Sequence, residues 1–411
     1  MISKLLKISL LLLLIQQSAF SQVYRVIGKV LDGETGETIP SATVYLDKTM
    51  VGTSTSLEGE FSLDFSQSNI SQTGVEMVIS CIGYEPIIYA LDLSNLNKKF
   101  VFKLKPKQEL LDEVVVDGKR DKLWYINLQT FKEQFLGKSE FGSQCEILNT
   151  ENLIITYYEK EAILKVKARE TLKIRNELLG YEVDYLLESF EYQVSTGILN
   201  YAGYTFFKEM KGGESKQRRW KKNRLRAYNG SSLHFLRSLY DKNLVKEGFN
   251  LRKLTRVPNP NRPSKEEIAK ARATLRANLR FSTGEVNKEE KEVMRRSRLP
   301  EFIEYLDTNT VAYADYLFEV KAGIELKFRQ FLQIVYLGEK EELNYVTFSS
   351  STFAKPRKPT FQTSVISLTS DSTILNPDGT TADTFALFYE GYWAWEKLGE
   401  MLPLGYQTES E

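Results

Sequence analysis

The stretch from Val26 to Val116 decides the fold of the first part of the chain. It begins VIGKVLDGETGETIPSATVYLD and closes with LKPKQELLDEVVV. Within it, short runs that alternate apolar and polar residues are separated by turn residues such as Asp32–Gly36 and Glu58–Gly59. Glycine supplies such turns with positive φ at no steric cost. Several period-two strands at short spacing predict an antiparallel β-sandwich that can bury a core without a disulfide.

The same stretch resembles the carboxypeptidase-regulatory-like domain, a transthyretin-like Greek-key sandwich. The motifs that carry the resemblance are Gly28–Asp32, Ile39–Val44, Gly52–Thr55, Leu57–Leu63, Ser80–Tyr84 and Leu111–Val116. The resemblance implies an all-β Greek-key domain over residues 22–116. In exported proteins of Bacteroidota-type bacteria such a domain often precedes the plug of a TonB-dependent transporter. Residues 117–411 are too few for the rest of that transporter.

Residues 1–21 are predicted to be a secretory signal peptide. Lys4 and Lys7 precede a short apolar run at residues 8–15, and Ala19-Phe20-Ser21 offers small residues for cleavage before Gln22. The apolar run is shorter than the roughly 20 residues of a membrane-spanning helix. We therefore expect an exported protein, periplasmic or associated with the outer membrane, with no transmembrane helix after cleavage.

The chain has two cysteines, Cys81 and Cys145. An exported protein can form disulfides, but these two residues fall in different predicted domains. Two free thiols are therefore favoured over a bridge, which stays open because sequence does not define the distance between them.

The polar segment 117–121 (DGKRD) is interpreted as a joint, and residues 122–411 as an α+β domain. Apolar residues alternate with Lys and Arg from Leu164 to Ile174, which is typical of one strand, or of two paired across a bend, with one buried face. The alternation continues over residues 186–206 and again over 324–336. These strands are predicted to form one antiparallel sheet, and a further strand is predicted at Thr384–Tyr389.

A basic helical layer is predicted over residues 208–298, which hold 26 Lys and Arg against 10 Asp and Glu. Leucines and a tyrosine at helical spacing predict a helix from Leu233 to Leu244 that ends by Gly248. Ser264 and Glu267 form a capping box that predicts a second helix, and a third is expected from Lys288 to Arg298.

The densest cationic run lies at residues 216–226 and supplies a candidate surface for an anionic partner: Arg218, Arg219, Lys221, Lys222, Arg224 and Arg226. Such a partner would be an envelope protein or an anionic envelope component, such as lipid phosphates or an acidic polysaccharide. Nucleic acid is not expected, because it does not fit an exported protein. The alternative, which the usual behaviour of charge runs favours, is that this run docks on the acidic remainder of the same chain.

The sequence predicts no catalytic, metal-binding or cofactor-binding residues. A zinc carboxypeptidase needs two histidines and a glutamate, and His234 is the only histidine. The HExxH, GxSxG, SxxK, P-loop and GxGxxG motifs are also absent from the sequence. A pair of Cys145 with His234 stays open, although nothing near Cys145 indicates an activated thiolate.

The leading functional hypothesis is a non-enzymatic, exported cell-envelope protein with a binding or assembly role through its carboxypeptidase-regulatory-like domain. The alternative is a glycan-acting hydrolase with its site in the C-terminal α+β region, motivated by Trp393, Trp395 and abundant carboxylates. Clustered aromatic residues can stack on sugars, but packing in a core is the more frequent role and is favoured here.

Overall fold

The computed structural model describes residues 23–66, 75–96, 98–107, 120–280, 288–309, 311–349 and 357–408. The predicted signal peptide, the motif Leu111–Val116 and residues 117–119 of the predicted joint lie outside the described residues.

The N-terminal strands form two facing sheets, as the alternating pattern predicts. One sheet has the order β4-β1-β7, from β1 (Val23–Asp32), β4 (Glu60–Ser66) and β7 (Lys99–Leu104). The other has the order β3-β2-β5-β6, from β2 (Thr43–Leu46), β3 (Gly52–Ser54), β5 (Val75–Ser80) and β6 (Ile87–Leu91). Their inner faces share one core, whose fully buried members include Val26, Val30, Val44, Leu46, Met77, Ile79 and Leu104.

One strand pair in the sandwich is parallel, which corrects the expectation of a wholly antiparallel domain. Strand β1 pairs antiparallel with β4 but parallel with β7. The direction of β7 follows from its connection, because the chain reaches β7 only after crossing over from β6 in the opposite sheet. Gly28 lies at this crowded point, where a Cβ would come within 2.7 Å of the Phe61 ring and 2.8 Å of the Phe100 carbonyl oxygen.

The strands predicted to form a single sheet after the joint divide among three sheets. The first has six strands in the order β8-β11-β12-β10-β9, with β13 on the other side of β12: β8 (Cys145–Ile147), β9 (Leu153–Tyr158), β10 (Ile163–Ala168), β11 (Leu172–Asn176), β12 (Tyr181–Gln193) and β13 (Ile198–Glu209). The alternating block Leu164–Ile174 is thus two strands that do not pair with each other. Both instead pair with β12, at opposite ends of that strand.

A second sheet has the order β15-β14-β18-β19-β21, from β14 (Phe249–Pro258), β15 (Phe302–Leu306), β18 (Phe331–Lys340), β19 (Phe361–Leu368) and β21 (Leu387–Gly391). A third, smaller sheet has the order β16-β17-β20, from β16 (Leu317–Val320), β17 (Gly323–Leu326) and β20 (Thr373–Leu375). The last predicted strand, Thr384–Tyr389, therefore lies somewhat later, at β21. Strand β14 corrects the idea of a continuous helical layer over residues 208–298: Phe249 and Leu251 are buried in alternation with half-exposed neighbours.

The described helices are α1 (Lys122–Phe135), α2 (Glu140–Ser143), α3 (Glu214–Tyr228), α4 (Ser232–Tyr240), α5 (Lys265–Arg280), α6 (Lys288–Arg296), α7 (Leu343–Ser349) and α8 (Tyr392–Trp395). Helix α4 ends before the predicted Leu244, because Lys242 takes a left-handed conformation with φ 56°. Helix α1 was not predicted from the sequence; Asp121 caps it by accepting from Trp124 N at 2.8 Å, and Phe131 and Phe135 are fully buried in the core of the six-stranded sheet. None of the helices in the described residues is both long and apolar enough to span a membrane.

The sandwich docks on the six-stranded sheet through the turn that follows β2. Lys48 N donates to Thr205 O at 2.8 Å, and Phe207 N donates to Thr49 O at 2.9 Å. Asp47 is part of the same contact, because its carboxylate accepts from Thr205 N at 2.7 Å. We name these three residues, Asp47–Thr49, the docking turn.

The docking contact generates a prediction at Gly52, which lies on β3 beside β13. A Cβ at this position would lie 2.3 Å from the ring of Phe206, which itself stacks on Tyr45 with 5.1 Å between ring centroids. Gly52→Ala should therefore destabilise the full chain by about 1–3 kcal/mol, the usual cost of overpacking. In the isolated fragment 22–116, where Phe206 is absent, the same change should be neutral. Urea denaturation of both forms measures the two effects.

We expect the fragment 22–116 itself to unfold cooperatively, because its core is internal to the two sheets. An equal loss of stability from Gly52→Ala in the fragment and in the full chain would contradict the docking contact as the cause. A fragment that stays unfolded would show that the sandwich needs the second region to cover Tyr45 and Val78, which pack with Phe206.

Candidate functional site

Helix α3, which carries the predicted basic surface, is anchored by a buried tryptophan. Trp220 is 0% exposed, and its Nε1 donates to Glu177 O at 2.9 Å. Asn223 and Arg224 continue this face by donating to the carbonyls of Leu178 and Leu179, each at 2.8 Å. One face of the helix is therefore fixed on the turn between β11 and β12.

The predicted anionic-partner surface divides between the two sides of this helix. Arg218, Arg219, Lys221 and Lys222 are exposed. Arg224 and Arg226 are instead half-buried and form ion pairs with Glu209 and Glu140. Arg224 and Arg226 thus dock on acidic groups of the same chain, as the intramolecular interpretation expects, whereas binding of an anionic partner by the exposed cations stays a prediction.

A second candidate site is an acidic pocket of about 220 Å³ beside the C-terminal end of α3. Its walls come from segments that are far apart in sequence: α2, the end of α3, the end of β18, and the residues that follow β21. The residues that line it include Glu140, Phe141, Arg226, Glu339, Glu342, Gln362, Tyr392, Trp395, Glu396 and Glu400. We name this site the acidic pocket.

Four carboxyl groups of the acidic pocket have raised pKa values, and burial is the main cause in each case. Burial raises the pKa of Glu400 to about 7, against the opposing effects of hydrogen bonds from Ser139 Oγ and from the Lys397 backbone. Burial, reinforced by the charges of Glu400, Glu342 and Glu339, raises the pKa of Glu396 well above its ordinary value. The pKa values of Glu339 and Glu342 are also raised by burial, which the charge of Arg226 partly offsets.

The two tryptophans singled out in the sequence have different roles. Trp393 is a core residue: its Nε1 donates to Gly230 O at 2.7 Å, and its ring packs against Phe235. Trp395 lines the acidic pocket. The expectation that packing is the main role of the aromatic cluster is confirmed for Trp393. Trp395 packs as well, against the rings of Tyr345 and Phe348, and also borders the pocket.

Cys145 and His234 do not have the surroundings of a catalytic pair. Burial raises the pKa of the Cys145 thiol to about 12, and its Sγ donates to Phe141 O at 3.4 Å. The two ring nitrogens of His234 are taken up by Gly230 N at 3.1 Å and by Glu247 at 3.2 Å. Cys81 and Cys145 are both free, and the described residues contain no group of three or more His, Cys, Asp or Glu that could hold a metal ion.

Comparison with known proteins supports the N-terminal resemblance. Residues 26–116 match the family model described as CarboxypepD_reg-like domain. No curated protein matches the chain. Among solved structures, a 9R-lipoxygenase from Cyanothece PCC8801 is similar over 53% of this chain and 48% of that one, with 8% sequence identity and a TM-score of 0.16. This chain therefore covers about half the length of that structure, and so low a TM-score carries no argument about fold or activity.

The raised pKa of Glu400 predicts a pH-dependent stability difference between the native protein and Glu400→Gln. The folded state holds the Glu400 proton up to about pH 7, whereas the unfolded state releases it near pH 4.3. The cost of ionising the buried carboxyl is therefore absent at pH 4 and fully developed by pH 8, so the stability contributed by this group falls as pH rises. Relative to the native protein, Glu400→Gln should gain on the order of 3 kcal/mol over that interval.

The pKa of His234 is lowered by burial, so this residue makes stability rise with pH in both proteins. Only the difference in stability between the two proteins therefore isolates the effect of Glu400. Chemical denaturation at a series of pH values measures the difference. Glu159→Gln, at an exposed turn position, is the matched control and should show no such trend. A pH-independent difference for Glu400→Gln would show that the carboxyl is not held protonated in the folded state.

Proposed function

We propose that the protein is a non-enzymatic, exported component of the cell envelope, periplasmic or associated with the outer membrane, that binds anionic lipid headgroups through helix α3. The proposal is supported most directly by the exposed cations of α3 on a helix that Trp220 holds in place. The CarboxypepD_reg-like domain is of a general binding or regulatory type, which is compatible with this role.

The position of the cations on α3 is unfavourable for the helix itself. Arg218, Arg219 and Lys222 lie in the second and third turns of α3, beyond the first turn, where the helix dipole acts most strongly. Arg218 and Lys222 are also four residues apart, a spacing at which like charges repel on a helix surface. These side chains therefore contribute little to the stability of the fold. Their exposed positions instead suit the binding of a negatively charged partner.

Neutralisation within the chain is incomplete on this face. Arg219 and Lys222 form no ion pair with the described part of the chain, and Arg218 reaches only the exposed Glu214, at 4.0 Å. Leu225 is 42% exposed on the same helix and adds an apolar group to the cationic face. Each Lys or Arg held near an anionic membrane surface contributes about 1 kcal/mol to binding.

The rival proposal, a glycan-acting hydrolase, would place its carboxylates in the acidic pocket. Glycoside hydrolysis by two carboxyl groups needs one protonated and one ionised partner, so their environments must push their pKa values apart. In the acidic pocket the four glutamates with shifted pKa values, Glu339, Glu342, Glu396 and Glu400, are all shifted upward, so these shifts do not separate an acid from a base. Turnover of peptidoglycan or polysaccharide by the purified protein, abolished by Glu396→Gln, would support the hydrolase and contradict the non-enzymatic proposal.

The binding proposal predicts that replacing Arg218, Arg219, Lys221 and Lys222 by Ser removes binding to phosphatidylglycerol vesicles. Stability should change little, because exposed charges each contribute less than about 1 kcal/mol to folding. Co-sedimentation measures binding, and binding of the native protein should weaken with salt, since ionic screening shortens the field to about 8 Å. Trp220 fluorescence should stay blue-shifted in the variant, because the anchoring face is untouched.

The matched control removes four cations from the exposed side of α5, by replacing Lys265, Lys270, Arg272 and Arg276 with Ser. This variant changes the net charge equally and should keep most of the vesicle binding. Equal loss of vesicle binding in both variants would show that overall charge, rather than the position of the cations on α3, causes the binding. Full binding by the α3 variant would exclude α3 as the binding surface.

A further inference from the structure

The acidic pocket contains one carboxyl group that has no partner in the described chain. The side chain of Glu396 is half-buried and makes no hydrogen bond or ion pair with the described residues. Its neighbours differ in this respect: Glu400 accepts from Ser139 Oγ and Lys397 N, and Glu140 pairs with Arg226 at 2.7 Å. Glu396 thus has no positively charged partner among the described residues, and a bound cation stabilises its ionised form against the burial that raises its pKa.

Two further polar atoms that line the pocket lack partners. Trp395 is 8% exposed and Gln362 is 6% exposed, and neither Trp395 Nε1 nor Gln362 Oε1 has a hydrogen-bond partner among the described residues. The Trp395 indole lies close enough to Glu342 to lower the pKa of that carboxyl, but outside hydrogen-bonding geometry. Buried polar atoms are normally paired, and leaving one unpaired costs about 1–3 kcal/mol. Gln362 Oε1 is an acceptor and suits an N–H group of a ligand, whereas Trp395 Nε1 is itself a donor and requires an acceptor.

The arrangement of the carboxylates fits an organic cation better than a metal ion. Nowhere in the described ranges do three or more His, Cys, Asp or Glu side chains converge closely enough to hold a metal. The carboxylates are instead spread around a cavity of about 220 Å³ whose walls include the rings of Tyr392 and Trp395. Aromatic faces attract cations, and a cavity of this size accommodates a charged head with a short carbon chain.

One cation of the chain already uses this combination at the edge of the pocket. The Arg226 guanidinium lies over the Phe141 ring, 4.4 Å from its centroid, and pairs with Glu140 at 2.7 Å. The interior of the pocket repeats the pattern of a carboxylate beside aromatic rings, in Glu396 with Tyr392 and Trp395, but without the cation.

We propose that the acidic pocket binds a small organic cation, an alkylammonium or alkylguanidinium group, with Glu396 as its main carboxylate partner. The N–H groups of the cation donate to Glu396 and Glu342, and its carbon chain contacts Tyr392 and Trp395. This site is separate from the exposed cations of α3, and neither proposal depends on the other.

Titration calorimetry with n-butylammonium and n-butylguanidinium at pH 8 tests this proposal on the full chain. At least one of the two probes should bind, and 1-butanol, the neutral analogue, should not. Glu396→Gln should weaken binding by about tenfold or more, because it removes a charge-assisted hydrogen bond. Glu159→Gln, the exposed matched control, should leave the affinity unchanged.

The set of outcomes decides the proposal. Preference for one probe identifies the head group as ammonium or guanidinium. Absence of binding by both probes overturns the proposal, as does equal binding of 1-butanol. If Glu396→Gln fails to fold, Trp395→Phe provides the second test: it keeps an aromatic wall, and it should retain binding of the cation with an altered fluorescence response. Unchanged affinity in a folded Glu396→Gln protein would place the cation elsewhere and overturn the assignment.

Discussion

The docking turn Asp47–Thr49 is the contact on which the arrangement of the chain depends. Lys48 donates its amide to Thr205 on β13 and accepts from Leu404 N at 2.8 Å through its carbonyl. A single residue therefore joins the sandwich, the six-stranded sheet and the C-terminal segment. Lys48 adopts a left-handed backbone with φ 59°, a conformation that non-glycine residues adopt at a cost and that persists only where the surroundings determine it.

Helix α3 contributes residues to both candidate sites. Its first turns expose cations, its middle is fixed by the buried Trp220, and its last turn places Arg226 at the acidic pocket. Gly180 makes the anchor possible, because its φ is +70° and a Cβ there would lie 2.3 Å from the Trp220 ring. Cations of α3 thus face outward on one part of the helix, and at its end Arg226 pairs with Glu140.

The sequence predicted the strands and helices that depend on a local residue pattern. It did not predict the features that depend on pairing between distant segments. The sandwich strands and the capping box of α5 follow from period and turn chemistry, and the structure contains them. The division into three sheets could not be predicted, because alternation defines a strand but not its partner. Helix α1 did carry a signal, Leu128, Phe131 and Phe135 at helical spacing. The acidic pocket had no such signal, because Glu140, Glu339 and Glu396 come from distant segments that meet only through the tertiary fold.

Amide hydrogen exchange at Thr205, Phe207 and Leu404 tests the central claim most directly, because these residues carry the hydrogen bonds on either side of the docking turn. If the sandwich, the sheet and the C-terminal segment form one unit, these amides exchange as slowly as the core of the six-stranded sheet, and only through global unfolding. Rapid exchange at all three, with the cores of both domains still protected, would contradict the account and leave the two regions as independent bodies.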